Sequence, residues 1–191
     1  MDANGIHPIT CKVGGAVIAA HSEGCQVLAD ACREAGFQCR REQIIPELAS
    51  ASCPSPQLDI DAFGVAGADR LLVDFTMRCS AATRYRWGER ADAVASAEAD
   101  KQRRYPPTGG ISVRGAAMDV LGRHGPGLTS LLEELADRAR LCALEAGRPP
   151  TRAMRTWRIR LSAAAARLVG RATALAQAPA ARRPLADAAA D

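Results

Sequence analysis

Apolar positions recur along this chain with two different periods, and the changes of period mark its elements. Cys25, Leu28, Cys32 and Ala35 are spaced by three and four, which predicts an amphipathic helix over residues 21–35, stopped at Gly36. Residues 37–45 read as a strand halted by Pro46, and residues 49–56, rich in Ser, Pro and Ala, as a loop. Two further runs, 57–63 and 70–77, alternate with period two about a turn centred between Ala66 and Gly67, the pattern of a β-hairpin. In that register Asp59 lies opposite Asp74, Ile60 opposite Val73 and Leu58 opposite Phe75. Leu58, Ile60, Ala62, Leu71, Val73 and Phe75 then share one face, and Asp59, Asp61, Asp74 and Thr76 the other.

Beyond the hairpin the period lengthens. Residues 80–90 contain a basic and aromatic loop in which Tyr85 and Trp87 either stack on bases or pack over the sheet edge. Residues 91–104 are Ala-rich and helical, ended by Pro106 and Pro107, with Val94, Ala97, Lys101 and Tyr105 on one face. A short strand is expected at 111–113. Leu128, Leu131, Leu132, Leu135, Ala139 and Cys142 form one apolar stripe; after a break at 147–150, Met154, Trp157, Leu161, Leu168 and Leu175 form another. The expected organisation is an α/β (α+β) chain: a link over residues 1–20, an αβββαβ core over 21–125, a C-terminal helical hairpin over 126–177, and a disordered Ala/Pro-rich tail over 178–191.

Composition narrows the function classes. The chain has 191 residues, enough for a substantial core, and its hydrophobic content of 48% with only 4% aromatics means a core of Ala, Leu and Val. No apolar run approaches the ~20 residues of a membrane span, and no signal pattern opens the chain, so a soluble intracellular protein with no membrane partner is expected. The seven cysteines (11, 25, 32, 39, 53, 79 and 142) include no CxxC and argue for reduced thiols. Charge is unevenly placed: residues 1–80 carry 6 Lys/Arg against 10 Asp/Glu, net −4, and residues 81–191 carry 19 against 11, net +8. That split suits an acidic metal site beside a basic surface for a polyanion, and it equally suits solvated arginine-rich helices.

The candidate chemistry centres on Asp59, Asp74 and Lys101. Like charges facing across a hairpin destabilise it, and a divalent cation is the simplest compensation. Lys101, one of two lysines among 25 basic residues, should point toward the sheet with the small residues of its helix, where the aspartates would meet its charge. Two carboxylates on one cation plus a positioned lysine are a minimal kit for phosphodiester hydrolysis, with Mg²⁺ or Mn²⁺ as the hard ion. Asp61 either assists or is solvated. His7 and Cys11 have the second half of a zinc-knuckle spacing, but two ligands make no structural zinc site, so zinc is not expected here. Arg152, Arg155, Arg158, Arg160, Arg167 and Arg171 either contact phosphate or form a solvated face.

Taken together, Asp59 on the second strand, Asp74 in LLVDFT on the third, and Lys101 and Tyr105 in EADKQRRY on the next helix resemble the restriction-endonuclease-like domain at the C-terminal end of some non-LTR retrotransposon reverse transcriptases, a branch of the PD-(D/E)XK superfamily. The segment HPITCKVGGAVIAAHSEG is similar to the link between zinc knuckle and nuclease in such polyproteins, and the likeness spans roughly residues 7–176. Leu58 stands where the family usually has proline. The resemblance implies a Mg²⁺- or Mn²⁺-dependent DNA endonuclease that nicks a target for reverse transcription, with a reverse transcriptase module upstream in the parent polyprotein and nuclear localisation for a eukaryotic retroelement product. Asp59 and Asp74 would be metal ligands, Lys101 the catalytic lysine and Tyr105 a supporting catalytic residue, with Arg84, Arg86, Arg103, Arg104, Arg155 and Arg158 as candidate DNA contacts. The alternative is an inactive nuclease-fold relic that binds nucleic acid through its arginine-rich helices.

Overall fold

Both periods take physical form in a computed structural model that describes residues 15–64, 69–82, 92–149 and 152–177. The elements run α1 (Ala16–Glu34), β1 (Phe37–Ile44), a 3-10 turn (Pro46–Leu48), β2 (Gln57–Gly64), β3 (Arg70–Arg78), α2 (Ala93–Arg104), β4 (Val113–Asp119), α3 (Pro126–Glu145) and α4 (Ala153–Gln177). The chain is thus mixed α/β: among the described residues it has a four-stranded sheet in the order β1-β2-β3-β4, antiparallel except for the parallel β3–β4 pair, with four helices. The parallel pair needs a crossover, and α2 supplies it. His7, Cys11, the turn at 65–68, the Arg84 and Arg86 loop and the tail lie outside the described residues.

Helices cover both faces of the sheet, which explains why its central strands are apolar on both sides. On one face Leu28 and Cys32 of α1 meet Ile60, Val73, Phe75 and Met118 of the sheet, and Leu128, Leu132, Trp157 and Leu161 of α3 and α4 complete the same cluster. At about 1.5–3 kcal/mol per fully buried large aliphatic or aromatic side chain, this cluster outweighs the others. On the other face Val94 and Ala97 of α2 pack on Ala117, and Tyr105 joins Leu58, Leu72, Val113 and Ile45.

Four features depart from the sequence-based expectations. The first helix begins at Ala16, not at residue 21, because Ala16, Val17 and Ala20 also pack on the main cluster. The last strand runs Val113–Asp119 instead of 111–113, and Ile111 only bridges to Thr108. Its Gly115, Ala116 and Ala117 have weak strand propensity, but small residues are what a strand covered by helices on both sides requires. Leu58 leaves the face of Ile60 and joins the second cluster. Strict alternation is broken next to it, where Glu42 of β1 has φ 55 and the ladder passes from Arg41–Ile60 to Gln43–Leu58. Finally, α4 packs chiefly along α1 and less against α3, whereas α3 lies mainly on β4 and also meets α4. Trp157 Nε1 donates to Glu34 Oε2 at 3.0 Å, and Arg160 and Arg167 pair with Asp30 and Glu23 at 2.6 and 2.8 Å.

Candidate functional site

The sheet forks at Asp59. Pairing of β2 with β3 extends from Phe63–Arg70 to Ile60–Val73, after which β2 continues with β1 to Gln57–Ile44 and β3 continues with β4 to Arg78–Asp119. Asp59 and Asp74 follow the expected register but form no ladder pair. Instead, the Phe75 N–H donates to Asp59 Oδ2 at 2.7 Å, so a carboxylate takes the place of a backbone acceptor at the fork. Helices on both faces reach this gap.

From one face α2 delivers Lys101, whose Nζ donates to Asp74 Oδ1 at 2.8 Å, with both side chains largely shielded from solvent. Helix geometry supplies the direction, since Lys101 lies on the face of Val94 and Ala97, both buried against the sheet. Close approach supplies the distance. Gly115, the register partner of Asp74, lies directly under α2: a Cβ there would stand 2.7 Å from the Glu98 carbonyl oxygen and 3.1 Å from Lys101 Cβ. The helix is also pinned by Glu98, a buried carboxylate that accepts backbone N–H groups of Ala117 (2.9 Å), Gly127 (2.7 Å) and Leu128 (2.9 Å). Through it α2 is tied to β4 and to the first turn of α3, whose N-cap residue Gly125 offers no side chain.

Burial pushes the Asp74 carboxyl above its usual range; the Lys101 charge pulls it down and the neighbouring Asp59 carboxyl pushes it up again. Burial also opposes ionisation of Asp59, but the hydrogen bond and charge of His21, with the Phe75 N–H, hold it below the ordinary value. The two carboxyls therefore behave as a coupled pair in which Asp74 more readily carries the proton.

From the opposite face α1 brings His21 and Cys25, by sequence pattern only a helix start and a member of an apolar stripe. His21 Nε2 donates to the Phe75 carbonyl oxygen at 3.1 Å and lies 3.6 Å from Asp59 Oδ2; Cys25 Sγ is 3.7 Å from His21 Nδ1. The Asp59 carboxylate and then Cys25 push the His21 pKa upward against its burial. Gly24 makes the approach possible, since a Cβ there would lie 2.5 Å from Phe75 Cε1. A four-residue spacing of histidine and cysteine places the two on one helix face, but it does not tell what that face meets.

The remaining predicted residues divide. The Tyr105 ring is buried in the second cluster beneath the Arg104 guanidinium, and burial followed by the Asp74 charge raises its hydroxyl pKa. Asp61 is neither solvated nor at the fork: Arg70 binds it at 2.9 and 3.1 Å and also reaches Glu47. Among the candidate DNA contacts, Arg103 pairs with Asp100 and Arg104 donates to Cys53 Sγ. Arg155 and Arg158 have no carboxylate partner among the described residues and line a concavity of about 600 Å³ with Met154, Ile159 and Ser162. Arg160, Arg167 and Arg171 are occupied by Asp30 and Glu23 of α1.

No protein-family model matches the chain, and no curated protein matches it in sequence. What the fork can do chemically follows from its groups: paired carboxylates offer hard oxygen donors, and a shielded ammonium stands ready for a second anion.

Proposed function

We propose that the protein is a divalent-metal-dependent DNA endonuclease domain of the restriction-endonuclease-like type, related to the nucleases of non-LTR retrotransposon polyproteins, that nicks DNA by phosphodiester hydrolysis. The observation that carries the reading is the 2.8 Å contact of Lys101 with Asp74 beside Asp59, at a fork in the sheet reached through the αβββαβ element order. The donor set fits Mg²⁺ or Mn²⁺: two carboxylates face one another, one raised toward its neutral form, a tension that a dication relieves. Asp59 and Asp74 would hold such an ion, which would supply polarisation of a phosphate and a water of lowered pKa. The chain's own contribution is positional. Asp74 orients the Lys101 ammonium, which donates to the charge developing on the phosphoryl oxygens as water adds to phosphorus and one ester oxygen leaves. Tyr105, one residue past α2, fixes the end of that helix in the second cluster.

Arg155 and Arg158, free of acidic partners among the described residues, favour one other reading: an inactive fold that binds nucleic acid electrostatically. Plasmid nicking separates the two. The nuclease reading expects Mn²⁺- or Mg²⁺-dependent conversion of supercoiled to open-circular DNA, lost in Asp74→Ala and Lys101→Ala with far-ultraviolet circular dichroism unchanged. Intact plasmid after prolonged incubation with Mn²⁺, alongside metal-independent and salt-sensitive DNA binding, favours the inactive fold.

A further inference from the structure

The geometry points to a second, thiophilic metal site on the α1 side of the fork, in which His21, Cys25 and Asp59 bind Zn²⁺ or a chemically similar transition-metal ion. Their ligating atoms all lie within 4.8 Å of one another. Two of the edges already match tetrahedral zinc, for which bonds of about 2.0–2.3 Å put ligand atoms about 3.3–3.8 Å apart: His21 Nε2 to Asp59 Oδ2 is 3.6 Å, and Cys25 Sγ to His21 Nε2 is 3.8 Å. His21 and Cys25 sit one helical turn apart on a rigid element, so the ordering cost of two ligands is met by folding. One imidazole and one thiolate select a softer ion than the all-oxygen pair of Asp59 and Asp74.

Binding requires Cys25 to release its thiol proton to solvent and Nε2 to give up the proton it shares with the Phe75 carbonyl. That carbonyl oxygen, 3.1 Å from Nε2, is then a protein group within reach of a fourth position. The Arg41 guanidinium, held by Gln26 and Ser22 on the same helix, favours the thiolate and opposes the incoming dication, so the site should bind less tightly than a structural zinc centre. Asp59 belongs to both sites. An ion held by His21 and Cys25 therefore competes with any ion that needs Asp59 and Asp74 together, whereas the thiophilic site itself stands whether or not the protein cuts DNA.

Titration of the reduced 191-residue chain with Co²⁺ alone tests this without any reference to activity. The expected result is a near-ultraviolet thiolate-to-cobalt charge-transfer band with visible ligand-field bands of tetrahedral intensity, saturating at one equivalent and bleached by Zn²⁺. Cys25→Ser should abolish the charge-transfer band. His21→Gln, at a partly exposed side chain, should weaken Co²⁺ binding by about 10–100-fold or more, and Asp59→Asn should alter the visible bands. Absence of the thiolate band, its persistence in Cys25→Ser, its loss in Cys11→Ser, or unchanged Co²⁺ affinity in His21→Gln overturns the site. Should Cys25→Ser fail to fold, the His21→Gln result decides alone.

Discussion

Asp74 and Gly115 are partners in the parallel ladder, and the side chain that Gly115 lacks is what allows Lys101 to reach Asp74. A methyl group at 115 meets the backbone of α2 at Glu98, not a side chain that could rotate away, so the helix itself must move. Gly115→Ala is expected to cost about 1–3 kcal/mol in urea unfolding. It should also reduce plasmid nicking more than the stability loss alone explains, because it lengthens the contact between ammonium and carboxylate.

Lys101→Met keeps the bulk of the side chain and removes its charge. Asp74, already raised by burial and by Asp59, then loses the group that pulls it down, and its pKa should climb further, readable by NMR of the carboxyl carbon. Nicking should fall by about 10²–10³-fold if the ammonium meets the phosphoryl charge. Lys101→Arg is not expected to restore it, since a planar fork does not fit where a point charge sits.

Glu98→Gln isolates the pin under α2. Glu98 Oε1 accepts from both Ala117 and Leu128, and Oε2 from Gly127; an amide can satisfy the first two but turns its NH₂ toward the Gly127 N–H. The expected loss is about 1–3 kcal/mol, seen as a lower denaturation midpoint with unchanged slope, and as faster amide exchange at Gly127.

Stability should fall on mild acidification through His124. Its Nδ1 is buried without a hydrogen-bond partner among the described residues, and burial, then the Arg158 charge, holds its pKa below the ordinary 6.5. The unfolded chain therefore binds a proton before the folded one does, so the His124 contribution is intact above about pH 6.5 and is lost as pH falls through the lower folded value. Denaturation midpoints across that window should flatten in His124→Phe.

The element order and the Ile60–Val73 register were legible because the period-two and period-3.6 patterns are strong from residue 25 to 104. The proximity of Asp74 and Lys101 followed from them, since a strand face and a helix face facing each other leave their polar residues no other place. Other features left no local trace. β4 hides in a Gly-Ala-Ala run whose value is its smallness beneath two layers of helix. The turn of Leu58 to the second cluster coincides with a positive φ at Glu42, on a neighbouring strand. The pairing of Arg160 and Arg167 with Asp30 and Glu23 joins residues more than a hundred positions apart, so an apparently free basic face proved partly neutralised. His21 was visible as a residue but not as a member of the fork, because nothing local tells which turn of α1 crosses Phe75.

The clasp between α1 and α4 has a kinetic meaning. Trp157 and Glu34 are separated by 123 residues, and Arg167 and Glu23 by 144. During synthesis α1 and the strands are complete long before α4 exists, so the apolar seam that Trp157, Leu161 and Leu168 later cover stands open to water. Native closure is thus a late, long-range event, and the nascent chain should be most prone to aggregation, and most in need of a chaperone, in the interval before α4 emerges.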